Sequence, residues 1–251
     1  MRIVVLIKQV PDMNAVKIDR TTGKPTMTGQ QVVSSFDEYA VDAALQLKEQ
    51  HGGEITVLSG GGPSVKDVTT RALAMGVDKA VQIALPDNND LDTLALATVL
   101  SSEVAKLAPD IVLTGQNSDD YQTGHVGPQL AELLGMPHLS SVTHIEGNES
   151  ELTVQRDTED GKQVVTVSTP VLLMAMTGLN EPRLPSIKGM MAAKRKPVEQ
   201  VTPEPQERNN RLSWSEPFVP ERSAAGTIVH GVPAPEAARQ LVGWLKEQKL
   251  L

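Results

Sequence analysis

The chain has 251 residues, a hydrophobic fraction of 39%, an aromatic fraction of only 2% and a formal charge of -8. It contains no cysteine, which excludes disulfides, thiolate metal sites and cysteine nucleophiles, and its charge argues against a nucleic-acid binder working by bulk phosphate neutralisation. Such a length is enough to bury a core, and with so few aromatics that core must be built from Val, Leu, Ile, Ala and Met. The opening apolar run, residues 1–7 before Lys8, is too short for a signal peptide. No apolar run approaches the ~20 residues of a membrane span, so we expect a cytoplasmic protein without membrane insertion.

The first two-thirds of the chain alternates short apolar runs with amphipathic stretches, the pattern of βαβ units. Residues 3–7 read as a buried strand, and residues 36–50 as a helix with Asp37 and Glu38 suited to its start. A second strand at 54–59 is broken by Gly60-Gly61-Gly62-Pro63 and followed by a helix at 65–74. Residues 80–84 form a third strand, 92–107 a helix, 111–114 a fourth strand, and 128–134 a helix with Pro128 in its tolerated first turn. Beyond Val142, residues 152–156, 164–168 and 171–176 read as β-segments, the last joining the main sheet. From about Gly189 the chain turns basic, then Pro- and Glu-rich through residues 201–221, with so little apolar periodicity that it cannot fold on itself. Residues 234–248 recover an amphipathic helix whose Leu241, Val242 and Leu245 need a surface to cover them. A parallel sheet covered on both faces follows, with residues 1–190 as an α/β domain carrying a small β extension. Residues 191–251 would be an arm and helix laid on a partner, a disordered appendage being the alternative.

Ligands of such sheets sit beyond the carboxyl ends of the strands, where the strand order switches. The run Ser59-Gly60-Gly61-Gly62-Pro63-Ser64 could bring backbone N–H groups to a phosphate, or be a plain tight turn. It superficially resembles the pyrophosphate loop of ATP pyrophosphatases, but Pro63 stands where that loop has Asp, which argues against adenylation chemistry. The loop from Gly115 to Gly127 holds three glycines, Asp119, Asp120 and several side-chain donors. Either it is an Asx-turn-rich surface loop, or an adenosine phosphate takes backbone donors from Gly124 to Gly127 while Asp120 orders the loop or binds ribose. Glycine at 124 and 127 would allow close approach and positive φ. His125 reads as solvent-facing or phosphate-contacting, since no histidine pair has metal-ligand spacing and no catalytic triad is evident. Lys188, Lys194, Arg195 and Lys196 beside Met190 and Met191 are either a solvated stretch or a docking edge.

Several of these residues carry a family resemblance. The opening Val5-Leu-Ile-Lys-Gln-Val-Pro-Asp12, the run Phe36-Asp-Glu-Tyr-Ala-Val-Asp-Ala-Ala-Leu-Gln-Leu-Lys48 and Arg71-Ala-Leu-Ala-Met-Gly-Val-Asp78 are similar to electron-transfer flavoprotein beta subunits. So is the stretch from Val154 through Arg156, Gly161 and Pro170 to Ala175, and Asn180-Glu-Pro-Arg183 with the basic residues after it resembles that family's partner-recognition loop.

The resemblance implies a three-layer, adenine nucleotide alpha hydrolase-like parallel-sheet fold and a heterodimer with an alpha subunit that holds most of a redox-active FAD. It implies an electron carrier rather than an enzyme, taking electrons from flavin dehydrogenases such as acyl-CoA dehydrogenases and passing them to a downstream acceptor. The beta subunit would bury a structural AMP. In a bifurcating branch of the family a second FAD takes that place and accepts hydride from NADH.

Carried over residue by residue, the nucleotide-lining positions fall on Leu6, Ser34, Gly61, Asp120, Thr123, Gly124, His125, Val126 and Gly127. Phe36 and Met13 fall near the flavin of the alpha subunit, and Arg183, Leu184, Ile187 and Met190 on the partner surface. The chain departs from AMP-type members at Gly124-His125-Val126, where they carry Asn-Gln-Thr, and at Ser34-Ser35, where they carry Asn-Pro. Val126-Gly127-Pro128 and the opening Lys8-Gln-Val-Pro-Asp12 look like the bifurcating branch and Asn180-Glu-Pro-Arg183 like the AMP branch; we expect AMP, with a second FAD as the alternative. A stand-alone nucleotide-binding regulatory module, the reading from another class, leaves the C-terminal third unexplained.

Overall fold

The structure, a computed structural model, describes residues 1–26, 29–85, 91–203, 210–215, 218–219 and 228–251. Much of the Pro- and Glu-rich stretch singled out above lies outside them. The described residues fall into two compact units, Met1–Pro217 and Phe218–Leu251.

The first unit begins with β1 (Arg2–Leu6), then the short strands β2 (Gln9–Pro11), β3 (Lys17–Ile18), β4 (Pro25–Thr26) and β5 (Gln31–Val33) before helix α1 (Ser35–His51). β6 (Glu54–Gly61), α2 (Val65–Met75), β7 (Lys79–Ala84), α3 (Thr93–Leu107), β8 (Ile111–Gly115) and α4 (Val126–Leu134) continue the alternation. β9 (His138–Gly147), β10 (Glu151–Thr158), β11 (Gly161–Ser168), β12 (Val171–Ala175), α5 (Ile187–Ala193) and β13 (Val198–Val201) complete it. Nine strands make one sheet in the order β11-β10-β9-β12-β8-β1-β6-β7-β13. Its pairings are parallel except for the two that β10 makes, with β9 and with β11, which are antiparallel.

Alternation within each central strand divides the core into two layers. Ile3 and Val5 of β1, Ile111 and Leu113 of β8, and Val171 and Leu173 of β12 face α1 and α2. Val4 and Leu6, Val112, Leu172 and Met174 face α3 and α4. The fold is therefore a three-layer α/β sandwich about a mostly parallel sheet, as the runs of Val, Ile and Leu predict. Burial of each such side chain stabilises by roughly 1.5–3 kcal/mol before entropy is counted.

The sequence reading did not foresee three features. β9 is a ten-residue strand in which only Val142 is buried, so it lacks the apolar run that marks a central strand. β13 pairs with β7 through Val198, Glu199, Gln200 and Val201, extending the main sheet into what reads in the sequence as arm. β2 pairs with β5, and β3 with β4, as small antiparallel ribbons after β1. The second unit contributes α6 (Ala234–Glu247), on which Leu241, Val242 and Trp244 are exposed. No helix among the described residues is long and apolar enough to cross a membrane.

Candidate functional site

The chain runs from β1 to β6 and β7 on one side of the sheet, then returns to β8 on the other side of β1. The strand order therefore switches between β1 and β8, and a cleft opens beyond their carboxyl ends, where α/β sheets bind ligands. Leu6 at the end of β1 with Ile7 and Lys8 beyond it, Leu58, Ser59 and Gly60 of β6, and Thr114 and Gly115 at the end of β8 with Gln116, Asn117 and Ser118 beyond it line the cleft. Thr123, Gly124, His125, Val126 and Gly127 form its far wall, and Leu91, Leu96 and Leu100 an apolar side.

Three carboxylates hold the loops that frame the cleft. Asp37, in the first turn of α1, is buried, and its two oxygens accept from the backbone N–H of Lys8 at 2.7 Å and of Gly115 at 3.0 Å. Burial pushes its carboxyl up to about 7, against the pull of those two amides and of the Lys8 charge. Asp119 accepts from the N–H of Ser35 at 2.8 Å and from its hydroxyl at 2.7 Å, which places an anion at the positive end of α1. Asp120 accepts from the Lys8 ammonium at 2.7 Å and from the Tyr121 N–H at 2.9 Å. Lys8 also lies 4.6 Å from the centre of the Tyr121 ring, a cation–π distance.

The wall at Gly124–Gly127 has the form of an anion site. Gly124 adopts φ +64°, a conformation in which a β-branched residue is strained. The next residues open α4 at its N-terminal end, where free N–H groups and the helix dipole favour negative charge. His125 is the residue before the helix, exposed, and makes no side-chain cap. The reason Gly127 is glycine differs from the one expected. Its φ is not positive; it sits in the first turn of α4, where an added Cβ would lie 3.0 Å from the sulfur and the methyl of Met174 on β12. Gly127 is small so that α4 can approach the sheet.

Of the residues expected to touch a nucleotide, Leu6, Thr123, Gly124, His125, Val126 and Gly127 line the cleft. Asp120 stands one step back, behind Lys8. Ser34 is buried, and its hydroxyl accepts from the Asp119 N–H at 3.3 Å, so it supports the loop from beneath. Gly61 is packed against α2, where a Cβ would lie 2.5 Å from Val65, and its neighbour Gly60 faces the cleft instead. Phe36 does not line the cleft; its Cβ would lie 2.7 Å from a Cβ on Gly115. Met13 lies in a separate groove with Asn14, Gln31, Ser35, Glu38, Arg71 and Gln122.

Lys8, Tyr121, Trp214 and the α3 leucines were missed. Position alone could have flagged Lys8, since it directly follows the first strand.

A second surface lies on the other helical layer. The Asn180 side chain donates to the Tyr39 carbonyl at 3.0 Å, and Arg183 forms ion pairs with Asp42 at 2.6 Å and with Glu49, all three on α1. The Ser186 hydroxyl accepts from the Gly189 N–H at 2.9 Å, capping α5, and Lys196 donates to the carbonyls of Leu73 and Val77 at the end of α2. Between these pins Leu184 is 80% and Ile187 76% exposed, with Met190 and Met191 beside them. Arg183 is thus committed to α1, and any partner would have to share it.

The sequence profile of the electron transfer flavoprotein domain matches residues 26–206. The chain is 36% identical to the electron transfer flavoprotein subunit beta of Bacillus subtilis over 99% of this chain and 98% of the relative. The chain belongs to the electron transfer flavoprotein beta-subunit family. It is also 41% identical to the beta subunit of Thermoanaerobacterium thermosaccharolyticum over 77% of this chain and 75% of that one. A third relative, subunit CarD of the caffeyl-CoA reductase-Etf complex of Acetobacterium woodii, is 33% identical over the full length of both chains. Electron transport and a flavin are accordingly the business of this family.

Proposed function

We propose that this chain is the beta subunit of a heterodimeric electron transfer flavoprotein, paired with an alpha subunit that holds most of the FAD. It buries an AMP in the cleft between β1 and β8 and presents residues 184–191 to flavin dehydrogenases. The observation that carries the nucleotide is the junction of Gly124, at positive φ, with the N-terminal end of α4 at the switch point of the sheet. Backbone N–H groups from Gly124 to Gly127 would hold the phosphate, Lys8 would neutralise it, and the leucines of α3 would cover the base.

FAD supplies the redox chemistry. This chain's residues complete its surroundings, Met13 and the groove beside it being the candidates, and fix the dimer through the C-terminal arm and α6. The recognition loop brings a dehydrogenase close. Its exposed apolar tip, ringed by pinned polar contacts, has the make-up of a binding hot spot.

The second reading places another FAD in the same cleft, with NADH as hydride donor, and rests on Val126-Gly127-Pro128. A stand-alone regulatory module fits poorly, because relatives matched end to end share the subunit name.

Release and counting of nucleotides from the purified complex tests the proposal. One FAD and one AMP per dimer are expected; two FAD would establish the second reading, and no nucleotide beyond one FAD would overturn the site. Within that assay, Gly124→Val forces a β-branched residue to positive φ and sets a Cβ about 3.0 Å from the Asn117 amide oxygen. It should empty the cleft. His125→Ala removes an exposed side chain, leaves every backbone donor in place, and should retain the nucleotide.

A further inference from the structure

The apolar side of the cleft has a lining residue that comes from far along the chain. Trp214 lies in the wall with Leu91, Leu96 and Leu100, and its ring sits 4.8 Å from that of Tyr121, tilted by 46°, within the range of favourable aromatic pairs. Tyr121 in turn carries the Lys8 ammonium. Tyr121 and Trp214 together span from the phosphate loop to the start of α3.

One buried carboxylate holds this segment. Asp92, 2% exposed, caps α3 through one oxygen, which accepts from the Ala95 N–H at 2.8 Å. Its other oxygen accepts from the backbone N–H of Arg211 at 2.6 Å and of Leu212 at 3.1 Å. The Asp92 N–H donates to the Asn210 side-chain oxygen at 3.1 Å, closing the link in both directions. The Ala95 amide first, then those of Arg211 and Leu212, hold the Asp92 carboxyl below its usual range, so it is an anion at neutral pH.

We propose that residues 210–215 are a strap that closes the nucleotide cleft, with Asp92 as its latch and Trp214 as the face turned to the ligand. The inference rests on the nucleotide reading above and adds to it. An aromatic plane with three leucines is the surface a planar base takes. A ligand that leans on Trp214 also orders the chain at the point where the C-terminal arm begins. Occupancy of the cleft would therefore be coupled to the order of that arm, which gives a redox-inactive nucleotide a reason to be there.

Asp92 permits a clean test, because its two oxygens do different things. In Asp92→Asn the amide oxygen keeps the α3 cap, asparagine being as good a cap as aspartate. The amide nitrogen replaces the oxygen that accepts from Arg211 and Leu212, and the latch is lost. On the purified full-length complex, AMP affinity is measured by titration, and backbone amide exchange over residues 210–215 by mass spectrometry.

AMP should slow exchange of those amides in the wild type. Asp92→Asn should abolish that protection and weaken AMP about tenfold, and Trp214→Ala should weaken AMP about tenfold with the Arg211 and Leu212 amides still protected. Wild-type AMP affinity in both variants would overturn the strap while leaving the nucleotide site standing. A wild-type complex that neither releases nor binds AMP would instead overturn the reading beneath it, and that outcome is visible without either variant.

Discussion

Asp37→Asn should destabilise the folded chain by about 1–3 kcal/mol at pH 5, the usual effect of stranding a buried donor, and should lower nucleotide content with it. The two Asp37 oxygens each accept a backbone N–H, one from the loop after β1 and one from the end of β8. At pH 5 the buried acid carries a proton, but its hydroxyl oxygen can still accept, whereas an asparagine offers one acceptor and an N–H₂ group whose nitrogen cannot, so either Lys8 or Gly115 loses its partner. Both loops line the cleft, so the damage reaches the site and not only the core.

The same residue sets a pH signature. Burial raises the Asp37 carboxyl from its ordinary 3.8 to about 7 in the folded state. A group that binds its proton more tightly when folded contributes stability that is present below the unfolded value and lost as pH climbs towards the folded one. The stability gap between wild type and Asp37→Asn should therefore narrow as pH rises from about 4 to about 7, then level off. Urea unfolding at pH 5 and pH 8 measures it. A gap that widens with pH would show that the two amides and Lys8 outweigh burial.

How much of this was legible in the sequence depends on the range of the interactions. The central strands announce themselves because they are buried on both faces, so that residues 3–6 or 171–175 are unbroken apolar runs. β9 and β13 stay hidden because a half-exposed or edge strand needs no such run. The loop from Gly115 to Gly127 was visible as glycines between a strand and a helix. Asp120 was picked out there as ordering the loop, but the long-range roles of Asp37 and Asp92 were not visible, since Asp37 meets Gly115 and Asp92 meets Arg211 across long stretches of chain, and a side chain that accepts from a distant backbone amide leaves no local pattern. Gly127 was found for the wrong reason. Its spacing from Gly124 suggested backbone freedom, whereas its neighbour across the interface, Met174, supplies the actual demand for a small residue.

On the proposal that residues 184–191 receive a flavin dehydrogenase, Gly189→Val should reduce electron transfer from it more than Ile187→Ala does. α5 lies directly on the last turn of α2, and a Cβ at position 189 would stand 2.2 Å from the Ala74 carbonyl oxygen. That neighbour is backbone, so no rotamer relieves the clash, and α5 must lift off α2. Ile187, the first residue of α5, moves with it, and so does the apolar tip held between Arg183 and Lys196. Ile187→Ala leaves that frame in place and deletes only the 76%-exposed side chain, for which truncation of an anchor predicts about 1–3 kcal/mol in binding, or roughly five- to 150-fold.

Stopped-flow reduction by the dehydrogenase at sub-saturating concentration measures both variants, and the flavin spectrum reports whether the FAD site is disturbed. In Ile187→Ala the spectrum and melting temperature should match the wild type while the second-order rate falls; in Gly189→Val the rate should fall further, with some loss of stability as α5 detaches. Should Ile187→Ala react at the wild-type rate, residues 184–191 are not the recognition surface, and the pins at Asn180, Arg183 and Lys196 serve the fold alone.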